Sequence, residues 1–235
     1  MSGQIAQMDA LAKSKVGSPT PALFLPDAFR GLAKERLRRA PPEGDLNAHL
    51  PPDVGDHDLN AGLPVDVFHK GPPRRAAVLI PVVAHEDGAT VILTRRTDHL
   101  TAHAGQVAFP GGKIEGIDPT PLAAALRETE EEIGLKPDQV EPLGYLDLYQ
   151  TGTGFRIVPV VGIVEPGYQL DIDDNEVAAV FEVPLVFLMT PTNHERRSRV
   201  FRGHERHFYA MPYDGNHIWG ATAGIVRNLY NRVYR

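Results

Sequence analysis

The stretch LRETEEEIGL, residues 126–135, concentrates glutamates where a folded protein would ordinarily avoid them. Four of the five positions from 128 to 132 are glutamate, and the pattern places them at the C-terminal end of a predicted helix. The helix dipole is negative at that end, and neighbouring carboxylates repel one another. We therefore expect the folded protein to supply something that compensates these charges.

The surrounding residues predict a helix from about residue 119 to residue 133. We expect Asp118 to be its N-cap, a proline to occupy the first turn, and Gly134 to end the helix in the left-handed conformation. A stripe with helical spacing is expected to face the core: Leu122, Leu126, Thr129 and Ile133.

Three carboxylates are expected to project together from another face of this helix: Glu128, Glu131 and Glu132. Hard divalent cations such as Mg²⁺ and Mn²⁺ choose oxygen ligands, and one helix can supply several of them. The preceding stretch AFPGGKIEGID is rich in glycine and can bring backbone close to a ligand. A metal site would explain the cluster, and a solvated charge run is the alternative. The residues alone leave both open.

Composition excludes several classes of function. The chain has 235 residues, of which 42% are hydrophobic, enough for an ordinary packed core. A net charge of -6 argues against nucleic acid as the main partner. There is no cysteine, so disulfides, thiolate metal sites and thiol nucleophiles are excluded. No apolar run resembles a signal peptide or a membrane span, and we expect a cytoplasmic protein that does not bind membranes.

Two parts of the chain differ in composition and in predicted secondary structure. Residues 1–73 are rich in proline and are predicted to form an extended arm with one short helix in DAFRGLAKERLRRA. Asp27 is the expected N-cap of that helix. Its expected apolar stripe consists of Phe29, Leu32, Ala33 and Leu37. Residues 74–235 are predicted to form the catalytic or binding domain.

The second part alternates strand and helix patterns. The runs AAVLIPVVA and ATVILTRR, separated by HEDG, predict a hairpin. Further strands are predicted in GQVAFPGG, VEPLGYLDLYQ, FRIVPVVGIV and EVAAVFEVP, and a hairpin around FRGHERHFYAMPY. A terminal helix is predicted in GATAGIVRNLYNRVYR. This order indicates the α/β class, with a mixed sheet between helices.

The stretch GGKIEGIDPTPLAAALRETEEEIGL resembles the signature of the Nudix hydrolases. It differs in having Asp118 where glutamate is common and one extra residue before Arg127. Both differences are typical of the coenzyme A pyrophosphatase branch. The upstream block LTRRTDHLTAHAGQVAFPGG is similar to the signature of that branch, with Thr97 in place of a serine and Thr101 in place of an arginine. The likeness extends over about residues 75–225, so we expect residues 74–235 to form a Nudix hydrolase domain.

The resemblance implies a Nudix-type α/β/α sandwich and a set of residue roles. Glu128, Glu131 and Glu132, with the carbonyl of Gly112, would bind Mg²⁺ or Mn²⁺. Arg127 would hold the glutamates in register, and Glu131 is our choice for the base that takes a proton from water. The implied reaction is attack of activated water on one phosphorus of a diphosphate, without a covalent enzyme intermediate.

Four residues upstream are candidates for substrate binding. Arg95 and Arg96 lie at the end of a predicted strand, and only one of them can face the site if the strand alternates. We favour Arg96. His103 and Gln106 either orient substrate or hydrogen-bond the glycine loop, and a purely structural role is the alternative. Trp219 and the tyrosines near it are interpreted as core or subunit-contact residues, in preference to residues that stack on a base.

The resemblance thus implies hydrolysis of coenzyme A or an acyl derivative to 3',5'-ADP and 4'-phosphopantetheine or its acyl form. One alternative is a Nudix enzyme for another nucleoside diphosphate derivative, such as ADP-ribose or NADH. A second alternative is a module that binds a nucleotide without hydrolysing it. From the family, we also expect a homodimer.

Overall fold

The computed structural model describes residues 20–42, 54–63, 71–99, 103–201 and 203–235. The rest of the predicted arm, and Thr101 in the upstream block, lie outside the described residues.

A mixed sheet of nine strands forms the centre of the described chain. Its strands are β1 (Val54–Gly55), β2 (Arg74–Val83), β3 (Thr90–Arg96), β4 (Val107–Ala108), β5 (Gly111–Lys113), β6 (Val140–Tyr145), β7 (Tyr149–Gln150), β8 (Phe155–Val164) and β9 (Val177–Pro184). The path runs β1-β7-β8-β2-β3-β4, while β5 pairs with β2, β6 with β8, and β9 with β3. These bounds confirm the predicted strands and the first hairpin.

The central strands β2 and β8 run parallel over their whole length, from Arg74 opposite Phe155 to Val83 opposite Val164. Strand β2 meets two further partners along its other edge. Its first half pairs with β5, where Ala77 lies opposite Gly112, and its end pairs with β3. This change of partner brings the glycine loop onto the middle of the sheet.

A second sheet and four helices complete the described fold. The small antiparallel sheet contains β10 (Glu195–Phe201), β11 (His204–Tyr213) and β12 (Asn216–Trp219). The helices are α1 (Pro26–Arg36), α2 (Pro121–Ile133), α3 (Leu185–Leu188) and α4 (Ala221–Val233). Short 3-10 turns lie at Ala22–Phe24, Asp56–Leu59, Pro137–Gln139 and Pro191–Asn193. None of the helices in the described ranges is long and apolar enough to cross a membrane.

The main sheet is covered by helices on both faces. Side chains of α2 pack on one face, against Ala77, Leu79 and Val160 of β2 and β8. Residues of the other three helices and of β11 pack on the opposite face. This layering confirms the α/β sandwich with a mixed sheet.

Helix α2 begins two residues later than the sequence predicts. Thr120 is its N-cap, and its hydroxyl accepts a hydrogen bond from the Ala123 amide at 3.1 Å. The prediction of Asp118 as N-cap is therefore wrong, because Thr120 is better placed to reach the first free amides. Gly134 ends the helix with φ of 73°, as predicted.

The apolar stripe of α2 is rotated relative to the prediction. Thr129 and Ile133 are fully buried, whereas Leu122 and Leu126 are half-buried. Ala124 and Ala125 are fully buried instead, so the helix approaches the sheet through its small residues. This close approach brings the next turn of the helix, with its glutamates, against β5.

Helix α1, which belongs to the predicted arm, packs into the main core. Phe29 and Ala33 are completely buried and Leu37, just beyond the helix, is 5% exposed. Asp27 is not the N-cap, because the helix already begins at Pro26 and the Asp27 side chain is 99% exposed. The arm therefore contributes to the core in this part, and the domain boundary at residue 73 stays a prediction.

Truncation of Phe29 tests this packing. Phe29→Ala should lower the free energy of unfolding by about 3 kcal/mol, because it removes a fully enclosed ring from the core. The matched control Asp27→Ala should change it by less than about 0.5 kcal/mol. Urea unfolding followed by circular dichroism measures both. Equal effects of the two substitutions would contradict the assignment of α1 to the core.

Candidate active site

The last two turns of α2 lie against strand β5, and Glu132 is the residue most tightly held there. Its side chain is 5% exposed. The amide of Gly111 donates to Glu132 Oε2 at 3.1 Å, and Arg96 Nη1 donates to Glu132 Oε1 at 3.2 Å. Each carboxylate oxygen therefore has one donor, one from the glycine loop and one from the end of β3.

These donors do not offset the burial of Glu132. Burial removes the carboxylate from water and raises its pKa to about 7, and the nearby carboxylates of Glu176 and Glu128 add to the increase. The Gly111 amide and Arg96 act in the opposite direction, with smaller effects. Because the negative charge of Glu132 is buried and only partly compensated, this carboxylate is a strong candidate for binding a cation.

Glu128 lies one turn before Glu132 and rests on the second glycine of the loop. A Cβ atom at Gly112 would lie 2.2 Å from Glu128 Oε2, so a side chain at position 112 would displace the carboxylate. Burial raises the pKa of Glu128, although the guanidinium of Arg127 opposes this shift. Glycine at this position thus permits close contact between a carboxylate and the backbone of β5.

Arg127 joins the glutamates to the loop before the helix. Its Nε and Nη2 donate to the two oxygens of Asp118, both at 3.0 Å, and Nη2 also reaches the Lys113 carbonyl at 3.2 Å. The same guanidinium contacts Glu128 at 3.0 Å and Glu131 at 2.9 Å. Arg127 therefore lies within ion-pair distance of both Glu128 and Glu131.

Asp118 has a different role from the one predicted. Its side chain is 4% exposed and accepts from the Glu115 amide at 2.8 Å as well as from Arg127. The hydrogen bonds from Arg127 lower the pKa of Asp118 below its usual value. Asp118 therefore fixes the position of Arg127 and the shape of the loop, and the helix cap is left to Thr120.

Glu131 is separated from the other two predicted ligands. Its side chain is 59% exposed and turns toward Arg127. Within the part of the chain that the structure describes, no three acidic or histidine side chains already converge on one point. The arrangement that fits a divalent cation is smaller: the carboxylates of Glu128 and Glu132 beside the backbone of Gly112, all hard oxygen donors.

The two arginines at the end of β3 face in different directions. Arg96 contacts Glu132 and lies 3.8 Å from Glu176, so it borders the glutamates. Arg95 is exposed, and no described residue connects it to the glutamates. His103 and Gln106 hydrogen-bond to each other through Nδ1 and Oε1 at 2.9 Å, beside the loop. The backbone of His103 is left-handed, with φ of 59°.

Sequence reasoning missed the loop that closes the end of α2. The amides of Asp171 and Asp173 donate to the carbonyls of Ile133 and Glu132 at 3.0 and 3.1 Å. The segment also places Glu176 beside Arg96. The acidic run DIDDNE was the available signal, but it carries no pattern that would indicate pairing with a helix end.

Comparison with known proteins found one matching family profile, similar curated proteins and similar solved structures. A family profile described as the NUDIX domain matches residues 73–203, more than half of the chain. The chain is 42% identical over 156 residues to the uncharacterized Nudix hydrolase NudL of Enterobacter sp. (strain 638), an alignment that covers 66% of this chain and 81% of the relative. The same values hold for NudL of Escherichia coli (strain K12). The crystal structure of a Nudix hydrolase from M. Smegmatis, RenU, covers 48% of this chain and 72% of its own, with 22% identity and a TM-score of 0.41.

The raised pKa of Glu132 predicts an unusual dependence of stability on pH. Between about pH 4.5 and pH 7, the metal-free native protein retains a proton on Glu132 that the unfolded chain has lost. The free energy of unfolding must therefore fall as the pH rises through this window, by about 2 kcal/mol from this group. Glu132→Gln should remove that part of the dependence, because glutamine does not titrate.

Urea unfolding in EDTA at pH 5 and pH 8 measures the effect. Glu130→Gln is the matched control, since Glu130 lies on the same helix and pairs with the exposed Lys136 at 2.8 Å. The control should follow the wild type. Identical pH dependence in wild type and Glu132→Gln would show that Glu132 is not desolvated.

Proposed function

Because the chain belongs to the Nudix family, we propose that it hydrolyses the diphosphate linkage of coenzyme A or its acyl thioesters, releasing 3',5'-ADP and 4'-phosphopantetheine or its acyl form. Membership of the family makes the chain a Nudix hydrolase, an enzyme for nucleoside diphosphate derivatives. Coenzyme A is the finer proposal. It is supported by the similarity of LTRRTDHLTAHAGQVAFPGG to the signature of the coenzyme A branch.

One observation carries the catalytic part of the proposal. Glu128 and Glu132 lie one helical turn apart, are both desolvated, and rest on the backbone of Gly111 and Gly112. A solvated run of charges would leave these carboxylates in water, and they are instead buried. A cation-binding site accounts for their burial, because a bound ion would compensate the repulsion between the two carboxylates.

We propose that Glu128, Glu132 and the Gly112 carbonyl hold Mg²⁺ or Mn²⁺. When bound, such an ion lowers the pKa of water and neutralises charge on the diphosphate oxygens. Hard oxygen donors of this kind suit both metals. Glu131 supplements the set from the exposed side.

The remaining residues position these groups. Asp118 fixes Arg127, and Arg127 in turn holds Glu128 and Glu131. Glu131 is the carboxylate best placed to accept a proton from the attacking water, because it is the most exposed of the three. Arg96 fixes one oxygen of Glu132 and presents the rest of its guanidinium to the phosphates of the substrate.

The rival within the same class is a hydrolase for another nucleoside diphosphate derivative. Thr101 favours it, since the coenzyme A signature has arginine at that position. A module that binds nucleotide without turnover is disfavoured, because Arg127 and the glutamates it contacts are all present.

A substrate panel tests the specificity. The purified chain with Mg²⁺ or Mn²⁺ should turn over coenzyme A or an acyl thioester with the highest kcat/KM, compared with ADP-ribose, NADH and nucleoside triphosphates. Chromatography of the products should show 3',5'-ADP. A higher kcat/KM for ADP-ribose or NADH would refute the coenzyme A proposal and favour a hydrolase for another nucleoside diphosphate derivative.

Substitutions in the helix test the catalytic assignment. Glu128→Gln and Glu132→Gln should each lower kcat at least about 100-fold, because each removes a negatively charged ligand from the proposed ion. Glu130→Gln should stay within about twofold of wild type, as a surface change away from the ion. Circular dichroism confirms folding of each variant. Near wild-type turnover by Glu132→Gln would refute its role.

A further inference from the structure

Strand β9 carries a carboxylate that the proposed reaction does not use. Glu182 lies opposite Ile92 of β3, whereas Arg96, which contacts the catalytic helix, lies four residues further along the same strand. Four residues of a strand span about 13 Å. The Glu182 side chain is only 21% exposed, and a carboxylate at that depth needs hydrogen-bond donors.

Three donors from different segments surround Glu182. His85, in the turn between β2 and β3, places its Nε2 at 2.7 Å from Glu182 Oε2, and the Thr90 hydroxyl donates to the same oxygen. The Tyr168 hydroxyl donates to Oε1. Burial opposes ionisation of Glu182, but these hydrogen bonds together lower its pKa below the usual value. Glu182 is therefore an anionic acceptor that joins three segments of the chain.

Tyr168 belongs to the loop of residues 165–176, which connects β8 to β9 and is called here the closing loop. All of its residues are described, and they form neither helix nor strand. The Tyr168 ring packs on the same apolar cluster as α2. Beyond Tyr168 the loop reaches the end of α2, where the Asp173 amide donates to the Glu132 carbonyl at 3.1 Å. The closing loop thus contacts the backbone of a proposed metal ligand.

The last residues of the closing loop lie beside Arg96. Thr97 donates from its amide to the Glu176 carbonyl and from its hydroxyl to the Asn175 carbonyl, both at 3.0 Å. The Glu176 carboxylate is 3.8 Å from Arg96 Nη2, while Nη1 of the same guanidinium donates to Glu132. The loop is therefore connected to Glu132 in two ways, through a backbone hydrogen bond and through Arg96.

We propose that Tyr168 and Glu182 are positioning residues for the active site, whose hydrogen bond holds the closing loop and thereby keeps Glu132 and Arg96 in the arrangement that binds a divalent cation. This rests on the proposed function, and neither residue contacts the ion or the substrate. Loss of the Tyr168 hydroxyl would leave Glu182 Oε1 without that donor. A loop without secondary structure of its own would then separate more often from the end of α2.

Hydrogen exchange of the full chain in EDTA, followed by mass spectrometry, measures the loop directly. Tyr168→Phe keeps the ring and removes the hydroxyl, so peptides from the closing loop should exchange about tenfold faster than in wild type. Tyr145→Phe is the matched control and should stay within about twofold. Tyr145 belongs to the same apolar cluster, and its hydroxyl has no hydrogen bond to a described residue. Unchanged exchange in Tyr168→Phe, or equal acceleration in both variants, would overturn the proposal.

Binding of Mn²⁺ to the full chain, followed by the electron paramagnetic resonance of the free ion, measures the effect on the site. Tyr168→Phe should raise the Kd for Mn²⁺ about fivefold, because the loop holds Glu132 and Arg96 less firmly, whereas Tyr145→Phe should stay within about twofold. A purely structural role would lower the urea midpoint of Tyr168→Phe and leave its Kd unchanged. That result would overturn the proposal.

Failure of this inference is distinguishable from failure of the proposed function. A wild-type chain that binds no Mn²⁺ would refute the proposed metal site, and the positioning role with it. A wild-type chain that binds Mn²⁺, with the same Kd in Tyr168→Phe, would refute the positioning role alone and leave the metal site intact.

Discussion

The burial of the Glu132 carboxylate against the glycine loop is the interaction on which the rest of the site depends. Desolvation of an anion is costly, and one backbone amide and one arginine only partly offset it. The arrangement requires the close approach of α2 to the sheet, which Ala124 and Ala125 permit. It also requires that β5 pair with β2 in the register that brings Gly112 opposite Ala77. Packing elsewhere in the fold must therefore offset the free-energy cost of burying Glu128 and Glu132. A bound cation would reduce that cost.

A second set of ion pairs, centred on Arg127, holds the other two glutamates. Asp118, enclosed in its loop, fixes the guanidinium of Arg127 through both oxygens, and Arg127 distributes its charge to Glu128 and Glu131. The guanidinium of Arg127 thus pairs with two of the three glutamates expected to project together. Glu132 is left to Arg96 on another strand. Arg127 and Arg96 therefore reduce the repulsion between the glutamates. The negative charge that is least compensated is that of the buried Glu132 carboxylate.

Periodicity and turn residues predicted the element order well. The β-branched runs formed the central strands, and Gly134 ended the helix, because these signals are local. Both predicted N-caps were wrong: α1 begins at Pro26, before Asp27 can cap it, and α2 begins after Thr120, so that Asp118 binds Arg127 instead. The position of α1 in the core could not be predicted from its own stripe alone, because the surface that covers Phe29 comes from distant strands and from α4.

The depth of Glu132 also could not be read from the sequence. A helical projection places it beside Glu128, on a face away from the predicted stripe. Its burial depends on β5 crossing the helix, which is a tertiary contact between residues 21 apart in the chain. Residue types at the site were predictable, whereas their exposure was not.

Anomalous scattering from a crystal of the wild-type chain soaked in Mn²⁺ would show whether an ion binds at Glu128 and Glu132. We expect an anomalous peak next to the Gly112 carbonyl and the carboxylates of Glu128 and Glu132. A map with no peak there, in which both carboxylates keep their metal-free contacts under saturating Mn²⁺, would contradict it.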